Sequence, residues 1–413
     1  MARTLRVGIV GGSLAGCSAA ILLSRAGHDV TIFERSKGVL VGRGGGIATP
    51  TQTFEALKEN DIIDAYFPHT SASEMPFVGR TAPDDRLGRA AWSLPIDLAC
   101  FHWGTLWDNL RKRVPDSRYH NDRHVQHIKM ADSETAVLQL QDGSDYAFDL
   151  VLAADGYRSL GRRLFFPNAI HTYRGYVLWR GLLPESAMND GSPLGATLPR
   201  LSFPDLSGHL VIYFVPGFDG SVWEGKRLFN WAAYIPVPAE ELSDFMIDRD
   251  GFERSGSLPP GTIRPEEVAR LKRLMRANLP GYYADVVDKT EHTHAQLIYT
   301  VDLPAYAQQR VCLIGDAGIV VQPFTGSGIF KGYHNARDLV AALEAHEDVD
   351  QALAEWSSQQ TEEAKRILTL GQQMEQAFIW EPLDFATADP ATTAAWWRES
   401  VTFPEHFTYE DLD

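Results

Sequence analysis

The stretch Gly11-Gly12-Ser13-Leu14-Ala15-Gly16 follows the apolar run Leu5 to Val10 and constrains this chain more than any other segment. Its spacing is G-x-G-x-x-G, with Ser13 at the second glycine position. The first glycine permits a tight turn, the second position must let the backbone approach a diphosphate, and the third lets helix and strand pack closely. Leu14 to Ala26 carries apolar residues at helical spacing and stops at Gly27, and Asp29 to Phe33 reads as a second strand. The first 35 residues therefore predict a β-α-β unit. Its helix would turn free N–H groups and a positive dipole end toward an anion, and the Ser13 hydroxyl can donate to a phosphate. Glu34 ends the second strand, where a carboxylate meets ribose hydroxyls and disfavours a 2′-phosphate. FAD or NAD is expected over NADP, and this motif alone does not separate the two.

At about 100–200 residues per domain, 413 residues predict two or three domains. Lys and Arg number 38 and Asp and Glu 54, a net charge of 38 − 54 = −16. Such a field repels a nucleic-acid duplex and an anionic membrane surface, so neither is expected as a partner. The densest basic cluster, Arg111-Lys112-Arg113, reads as a solvated helix end. No apolar run approaches the ~20 residues of a membrane helix. The basic opening breaks at Gly11-Gly12 before a signal peptide could form, so a cytoplasmic protein is expected. Cys17, Cys100 and Cys312 lie far apart, without CxxC, and Cys17 and Cys312 sit in apolar segments that suit small core residues.

Further along, Thr51 to Asn60 and Trp103 to Arg113 read as helices. Val137 to Leu140 and Phe148 to Ala153 read as strands, with a turn signal at Asp142-Gly143. From Tyr173 to Thr300 the character changes to β-branched and aromatic runs split by Pro and Gly, such as His209 to Val215 and Leu228 to Ile235. Val311 to Gly315 returns to a buried parallel-type strand, and Ala336 to Ala345 and Val349 to Met374 read as helices. The expected fold is α/β: a Rossmann-like dinucleotide-binding domain, a β-rich substrate domain inserted in it, and a helical C-terminal part. The boundaries run 1–172 and 301–375 for the first domain with its C-terminal helices, 173–300 for the insert, and 376–413 for an aromatic-rich tail. A pocket at the junction is the expected ligand site.

Two further motifs follow strands. Asp155-Gly156-Tyr157-Arg158-Ser159-Leu160-Gly161-Arg162 has the spacing D-G-x-x-S-x-x-R after Asp149 to Ala154. Gly315-Asp316-Ala317 follows Val311 to Ile314 and leads to Pro323 and Gly326-Ser327-Gly328. An aspartate at a strand end can accept from a ribitol hydroxyl, and a glycine-rich turn at a helix start can present N–H groups to an electron-rich ring edge. In this order and spacing the three motifs resemble the group A flavin-dependent aromatic hydroxylases, the p-hydroxybenzoate hydroxylase family. The Gly-Gly-Ser opening, Tyr173 to Gly181 and Tyr213 to Gly217 resemble its 2,6-dihydroxypyridine 3-hydroxylase subgroup. The likeness spans residues 5 to 375.

The resemblance implies non-covalent FAD. Gly11, Ser13, Leu14 and Ala15 would lie at the diphosphate, Glu34 at the adenosine ribose and Asp316 at the ribityl chain or diphosphate. Asp155 belongs to a motif credited with contacts to both FAD and NAD(P)H. The backbone of Gly326, Ser327, Gly328, Ile329 and Phe330 would hold the flavin pyrimidine edge. Arg35 and Val125 are further cofactor candidates, and Arg43, in the glycine-rich loop Gly42 to Gly46, either pairs with phosphate or substrate or is solvated. Three positions depart from the family pattern: Ile319 replaces a His, Phe330 an Asn, and Trp103 a helix Arg. They suggest an apolar, aromatic chamber. The implied reaction uses NADH or NADPH to reduce FAD and O2 to form a C4a-hydroperoxide that hydroxylates a small hydroxylated aromatic or N-heteroaromatic ring. One dinucleotide fingerprint is visible, so the nicotinamide cofactor would dock transiently.

Candidates for catalysis are His209 and Tyr213, four apart on one strand and hence on one face. Tyr213, Trp231 and Pro323 are candidates to line the substrate pocket; sheet packing is the competing explanation for His209, Tyr213 and Trp231. His292 and His294 lack a third ligand, so no metal is expected. The W-x-W-x-I-P pattern of flavin halogenases is absent, with only a partial echo at Trp231 to Pro236. Two alternatives stand beside hydroxylation: another FAD chemistry (epoxidation, oxidative decarboxylation, Baeyer–Villiger insertion), or a non-catalytic flavin redox sensor using a tail with Trp396 and Trp397. A homodimer is left open.

Overall fold

A computed structural model describes residues 4–40, 44–188, 193–328 and 330–401, so Arg43 and Ile329 lie outside the described residues. Two large sheets organise the molecule. The first has six strands in the order Ala307–Gln308, Val311–Leu313, Leu150–Ala153, Arg6–Val10, Asp29–Phe33, Tyr119–His120. All are parallel except the Ala307–Gln308 edge. Alternation along the strands sends side chains to two cores. Val7, Ile9, Ile32, Leu150 and Leu152 pack with the helices Leu14–Arg25, Lys331–Ala345 and Val349–Glu375. Val10, Phe33, Val151 and Val311 face a small sheet of three strands, Val125–Met130, Ala136–Leu140 and Asp145–Phe148. Burial on both faces is why these strands read as continuous apolar runs.

The second sheet has nine strands, ordered Ser257–Leu258, Thr293–Val301, His171–Pro184, Leu228–Pro236, His209–Val215, Arg200–Ser202, Thr70–Gly79, Arg89–His102, Gly46–Pro50. Its pairings are antiparallel except Arg200–Ser202 with Thr70–Gly79. One face, including Trp179, Ile212, Phe229 and Trp231, is covered by the helices Pro265–Asn278 and Gly281–Lys289. The other face, including Leu178, Tyr213, Ala232 and Tyr234, looks toward the C-terminal helices. The boundary at 173 does not contain this sheet. Three of its strands come from residues 46–102, because Gly46–Pro50, Thr70–Gly79 and Arg89–His102 add to its edge beyond Arg200–Ser202.

Val349–Glu375 runs into a π-helical turn, Gln376–Trp380, and Pro390–Val401 forms the last helix among the described residues. Phe378 stacks on Trp397, with centroids 5.8 Å apart and planes 7° from parallel, and Trp397 is buried. Trp396 sits against Phe378 and Phe385. These indoles are docked on the body, which removes the feature that favoured a sensor with an exposed tail. The cysteines are free and buried. Arg111, Lys112 and Arg113 pair with Asp116, Asp64 and Asp61. No described helix is long and apolar enough to cross a membrane.

Candidate functional site

Strands Arg6–Val10 and Asp29–Phe33 end together, and the chain turns sharply at Gly11, whose φ of +102° lies in the region open to glycine. A Cβ on Gly16 would collide with the Gly11 carbonyl, so the helix that starts at Leu14 depends on that glycine to sit against the turn. Ser13 is the N-cap but makes no side-chain cap hydrogen bond. The first-turn amides thus lack a side-chain cap. The Glu34 carboxylate is buried and accepts from Gly12 N and Ser36 N, each at 2.8 Å. The Gly12 carbonyl accepts from Trp107 Nε1 and Tyr119 Oη, each at 2.9 Å. This turn is therefore held rigid from both sides.

The turn opens on a cleft of about 850 Å³. Gly11, Ser13, Leu14, Ala15, Glu34, Arg35, Val125, Asp155 and Asp316 all line it. Asp155 Oδ2 accepts from Leu160 N at 2.6 Å, while Oδ1 is buried without a partner. Burial pushes the Asp155 carboxyl above its ordinary pKa, against the pull of the Ser159 hydroxyl and the Leu160 N–H. Arg162, also buried, donates through Nη1 to the carbonyls of Asp316 and Ala317, both at 2.8 Å, and through Nη2 to the Tyr157 carbonyl. It staples the Asp155 turn to the Asp316 turn. Asp316 Oδ1 lies 2.7 Å from Lys331 Nζ, which also donates to the Ile319 carbonyl at 2.7 Å.

A second cavity of about 400 Å³ adjoins the cleft. The two share Gly44, Trp103, Asp316 and Gly328, so they adjoin at these four residues. Its walls are the inner face of the nine-stranded sheet and the loop Pro323 to Gly328. His209, Tyr213, Pro323, Gly326 and Gly328 lie in it. Ser327 instead faces a neighbouring cavity of about 340 Å³, with its hydroxyl 2.9 Å from Thr325 Oγ1.

Two expectations change. Trp231 does not line the chamber: alternation sends it to the opposite face, fully buried, where Nε1 donates to Thr290 Oγ1 at 2.9 Å. Its neighbours Ala232 and Tyr234 occupy the chamber wall. His209 lies in the chamber, yet neither ring nitrogen is open. Arg200 Nη1 donates to Nε2 at 2.8 Å, which leaves Nδ1–H to donate to the Phe378 carbonyl at 3.3 Å. The ring stacks on Tyr234 at 4.6 Å. Burial, then the Arg200 charge, push its pKa well below the ordinary imidazole value. A neutral ring with both nitrogens engaged cannot take a substrate proton.

The sequence reading missed Tyr234, Arg180 and Arg200, all on the chamber wall. The available signal was charge inside apolar strands, as in Val177-Leu178-Trp179-Arg180 and Pro199-Arg200-Leu201. Among the described residues no cluster of three metal-ligating side chains occurs.

The donor set fits a dinucleotide flavin: the helix start at Leu14, without a side-chain cap, lines the cleft and would suit an anion, Glu34 and Asp316 lie along it, and Asp155, whose Oδ1 is a buried acceptor without a partner, also lines it. Residues 4–178 match the model of the FAD binding domain family, and residues 173–300 match that of the FAD binding domain-like family. The chain is 27% identical over 368 residues to the 2,6-dihydroxypyridine 3-monooxygenase of Paenarthrobacter nicotinovorans, covering 88% of this chain and 89% of that enzyme. It is 22% identical over 381 residues to the 6-hydroxynicotinate 3-monooxygenase of Pseudomonas fluorescens, covering 89% and 90%. The solved structure of 2,6-dihydroxypyridine-3-hydroxylase from Arthrobacter nicotinovorans superposes with a TM-score of 0.82 at 25% identity, over 94% of this chain and 97% of that one.

Proposed function

Because the chain belongs to the FAD-dependent aromatic hydroxylases, we propose that it hydroxylates a small hydroxylated aromatic or N-heteroaromatic ring, using a reduced nicotinamide cofactor and O2. The observation that carries this reading is that the cleft and the aromatic chamber adjoin, with Asp316 and Gly328 lining both. A long dinucleotide in the cleft would present its reactive end to a flat ring in the chamber. FAD, when bound, supplies the redox and oxygen-activating chemistry.

The protein's part is placement and exclusion of water. Gly11, Ser13, Leu14 and Ala15 would hold the diphosphate, Glu34 the ribose, and Asp155 and Asp316 the middle of the cofactor. The backbone at Gly326 and Gly328 would face its ring edge. Leu178, Val211, Tyr213, Ala232, Tyr234 and Phe324 give the substrate ring apolar and aromatic contact. With one dinucleotide cleft committed to FAD, the nicotinamide cofactor docks only during reduction and leaves.

The test is oxidation of NADH and of NADPH by the FAD-loaded protein against a panel of hydroxypyridines, phenols and purines, with product masses. Stimulated oxidation and a product heavier by one oxygen supports hydroxylation. Products of epoxidation, decarboxylation or ring expansion would shift the reaction class. No stimulation by any ring, with FAD bound, would defeat the enzyme reading in favour of a redox sensor.

A further inference from the structure

We propose that Arg180 is the specificity-determining residue of the chamber and that it takes the substrate ring as an oxyanion. The inference rests on the reading of the chamber as the substrate site.

Arg180 lies on the strand His171–Pro184, opposite Ala232 on one neighbour and His294 on the other. Its side chain lines the chamber with Leu178 and Tyr234. A Cβ placed on Gly45 would lie 3.4 Å from Arg180 Nη1, so the guanidinium abuts the glycine-rich loop where chamber and cleft meet. Among the described residues nothing pairs with it, and its Nε is buried without an acceptor. Other half-buried or buried arginines here have a partner for at least one guanidinium nitrogen, although the Nε of Arg162, Arg200 and Arg310 also lacks an acceptor. Arg174 pairs with Glu375 at 2.5 Å, Arg227 with Glu185 at 2.6 Å, and Arg162 with three carbonyls. The Arg180 guanidinium is half-buried, with Nε buried and the side chain on the chamber wall, so a charge without a counter-charge stands ready for a ligand that supplies one.

The charge balance of the chamber agrees. Its described lining carries three cations, Arg180, Arg200 and Lys331, against one carboxylate, Asp316, and that carboxylate is already bound by Lys331 at 2.7 Å. The chain as a whole carries −16. A positive chamber in an acidic protein is complementary to an anion.

The protonation states close the argument. The groups facing Arg180 are His294 on one neighbouring strand, Tyr234 on the other, and the Asp316–Lys331 pair across the chamber. Burial, with the Arg180 charge second, lowers His294 to about 4, so it is neutral near pH 7. Burial raises Tyr234 above its ordinary value, so it stays a phenol. Among the described groups facing Arg180, His294 at about 4 is too weak a base near pH 7 and His209 has both nitrogens engaged, so the ring is selected from solution already ionised. Its proton stays in bulk water, and the ring oxygen, as O⁻, meets the guanidinium. An ionised ring is also the electron-rich form that an electrophilic oxygen attacks.

The test uses the FAD-loaded protein and para-nitrophenol, whose ionised form is read by its absorbance, beside para-nitroanisole and para-nitrobenzoate. Wild type is expected to bind para-nitrophenol with its apparent pKa lowered by about one unit, a tenfold preference for the anion. Arg180→Met loses that shift and binds the probe about 10–100-fold more weakly, and Arg180→Lys restores part of both. Para-nitroanisole binds wild type and Arg180→Met alike. Tighter binding of the benzoate than of the phenolate would place a carboxylate, not a ring oxyanion, at Arg180 and overturn the proposal as stated. So would equal phenolate binding by Arg180→Met, absence of any anion preference in wild type, or a shifted flavin potential in Arg180→Met with probe binding intact. FAD content and near-ultraviolet dichroism of each variant separate these from misfolding. Turnover on neutral rings alone would sink this inference and leave the hydroxylase standing; anion binding without turnover on any ring would do the reverse.

Discussion

Arg162 donates from one guanidinium nitrogen to the carbonyls of both Asp316 and Ala317, at 2.8 Å each, so the second motif of the chain is fastened to the third. The two motifs are separated by the 152 residues 163–314, which contain most of the second sheet. The floor of the cofactor cleft is therefore a single hydrogen-bonded piece, although it is assembled from distant segments.

Arg162→Met should lower the unfolding free energy by about 3 kcal/mol, since three buried carbonyls lose their donor. Arg162→Lys should recover only part, because an ammonium lacks the planar fork. Denaturant unfolding and FAD content of the purified variants would measure both effects.

Asp155→Asn should weaken FAD binding about 10-fold, the loss of one charge-assisted hydrogen bond, by fluorescence titration of the apoprotein. The sign of its pH effect is also fixed. The folded-state pKa is raised by burial, so Asp155 contributes stability to the FAD-free protein below its ordinary value of 3.8, and this is lost as pH rises through the folded value. Stability of apo wild type relative to Asp155→Asn should fall over that rise.

Three histidines, His209 buried and His294 and His334 half-buried, give an opposite slope at mildly acid pH. His294 and His334 are lowered to about 4, chiefly by burial, and His209 is lowered well below 6.5 by burial and then Arg200. The unfolded chain takes up these protons below about 6.5 while the folded chain resists, so stability is present above 6.5 and lost as pH falls toward 4. His209→Gln should flatten this slope by about one proton. It should leave the pH profile of turnover near neutrality unshifted, which steady-state rates from pH 6 to 9 would check.

Trp231→Phe should cost about 2 kcal/mol, from the lost bond to Thr290 and the smaller ring, with KM for the ring substrate unchanged. Tyr234→Phe, on the chamber side of the same strand, should change KM with a smaller loss of stability. Equal KM effects in the two variants would contradict the assignment of faces.

The β-α-β unit and the two later motifs were legible because their signals are local: a turn that needs glycine, a helix that follows it, a carboxylate at a strand end. The faces of the second sheet were not. Leu228 to Ile235 is buried on both sides, so its period of two carries no contrast between a helix-covered face and a chamber. That is why the sequence leaves Trp231 open between pocket and sheet packing, which the structure resolves as packing, and gives no sign of Tyr234. The strands within residues 46–102 escaped the second domain because pairing across the sheet depends on partners far along the chain. Arg180 was visible as a charge in an apolar run, but its meaning depends on having no partner, a property of the folded surroundings.

The stacking of Phe378 on Trp397 bears on how the protein is made. The first strand, Arg6–Val10, borders Leu150–Ala153, which waits for Val311–Leu313 as its other neighbour. The chamber wall then waits for the Phe378 carbonyl that holds His209 and for the ring of Trp397 beneath it. In a chain leaving the ribosome the earliest strand has both neighbours, Asp29–Phe33 and Leu150–Ala153, once residue 153 is made, whereas the last described helix, Pro390–Val401, arrives as the keystone. Fragments lacking the final helix would keep the cofactor cleft but have an unfinished substrate chamber, so the order of synthesis places flavin capture before ring recognition.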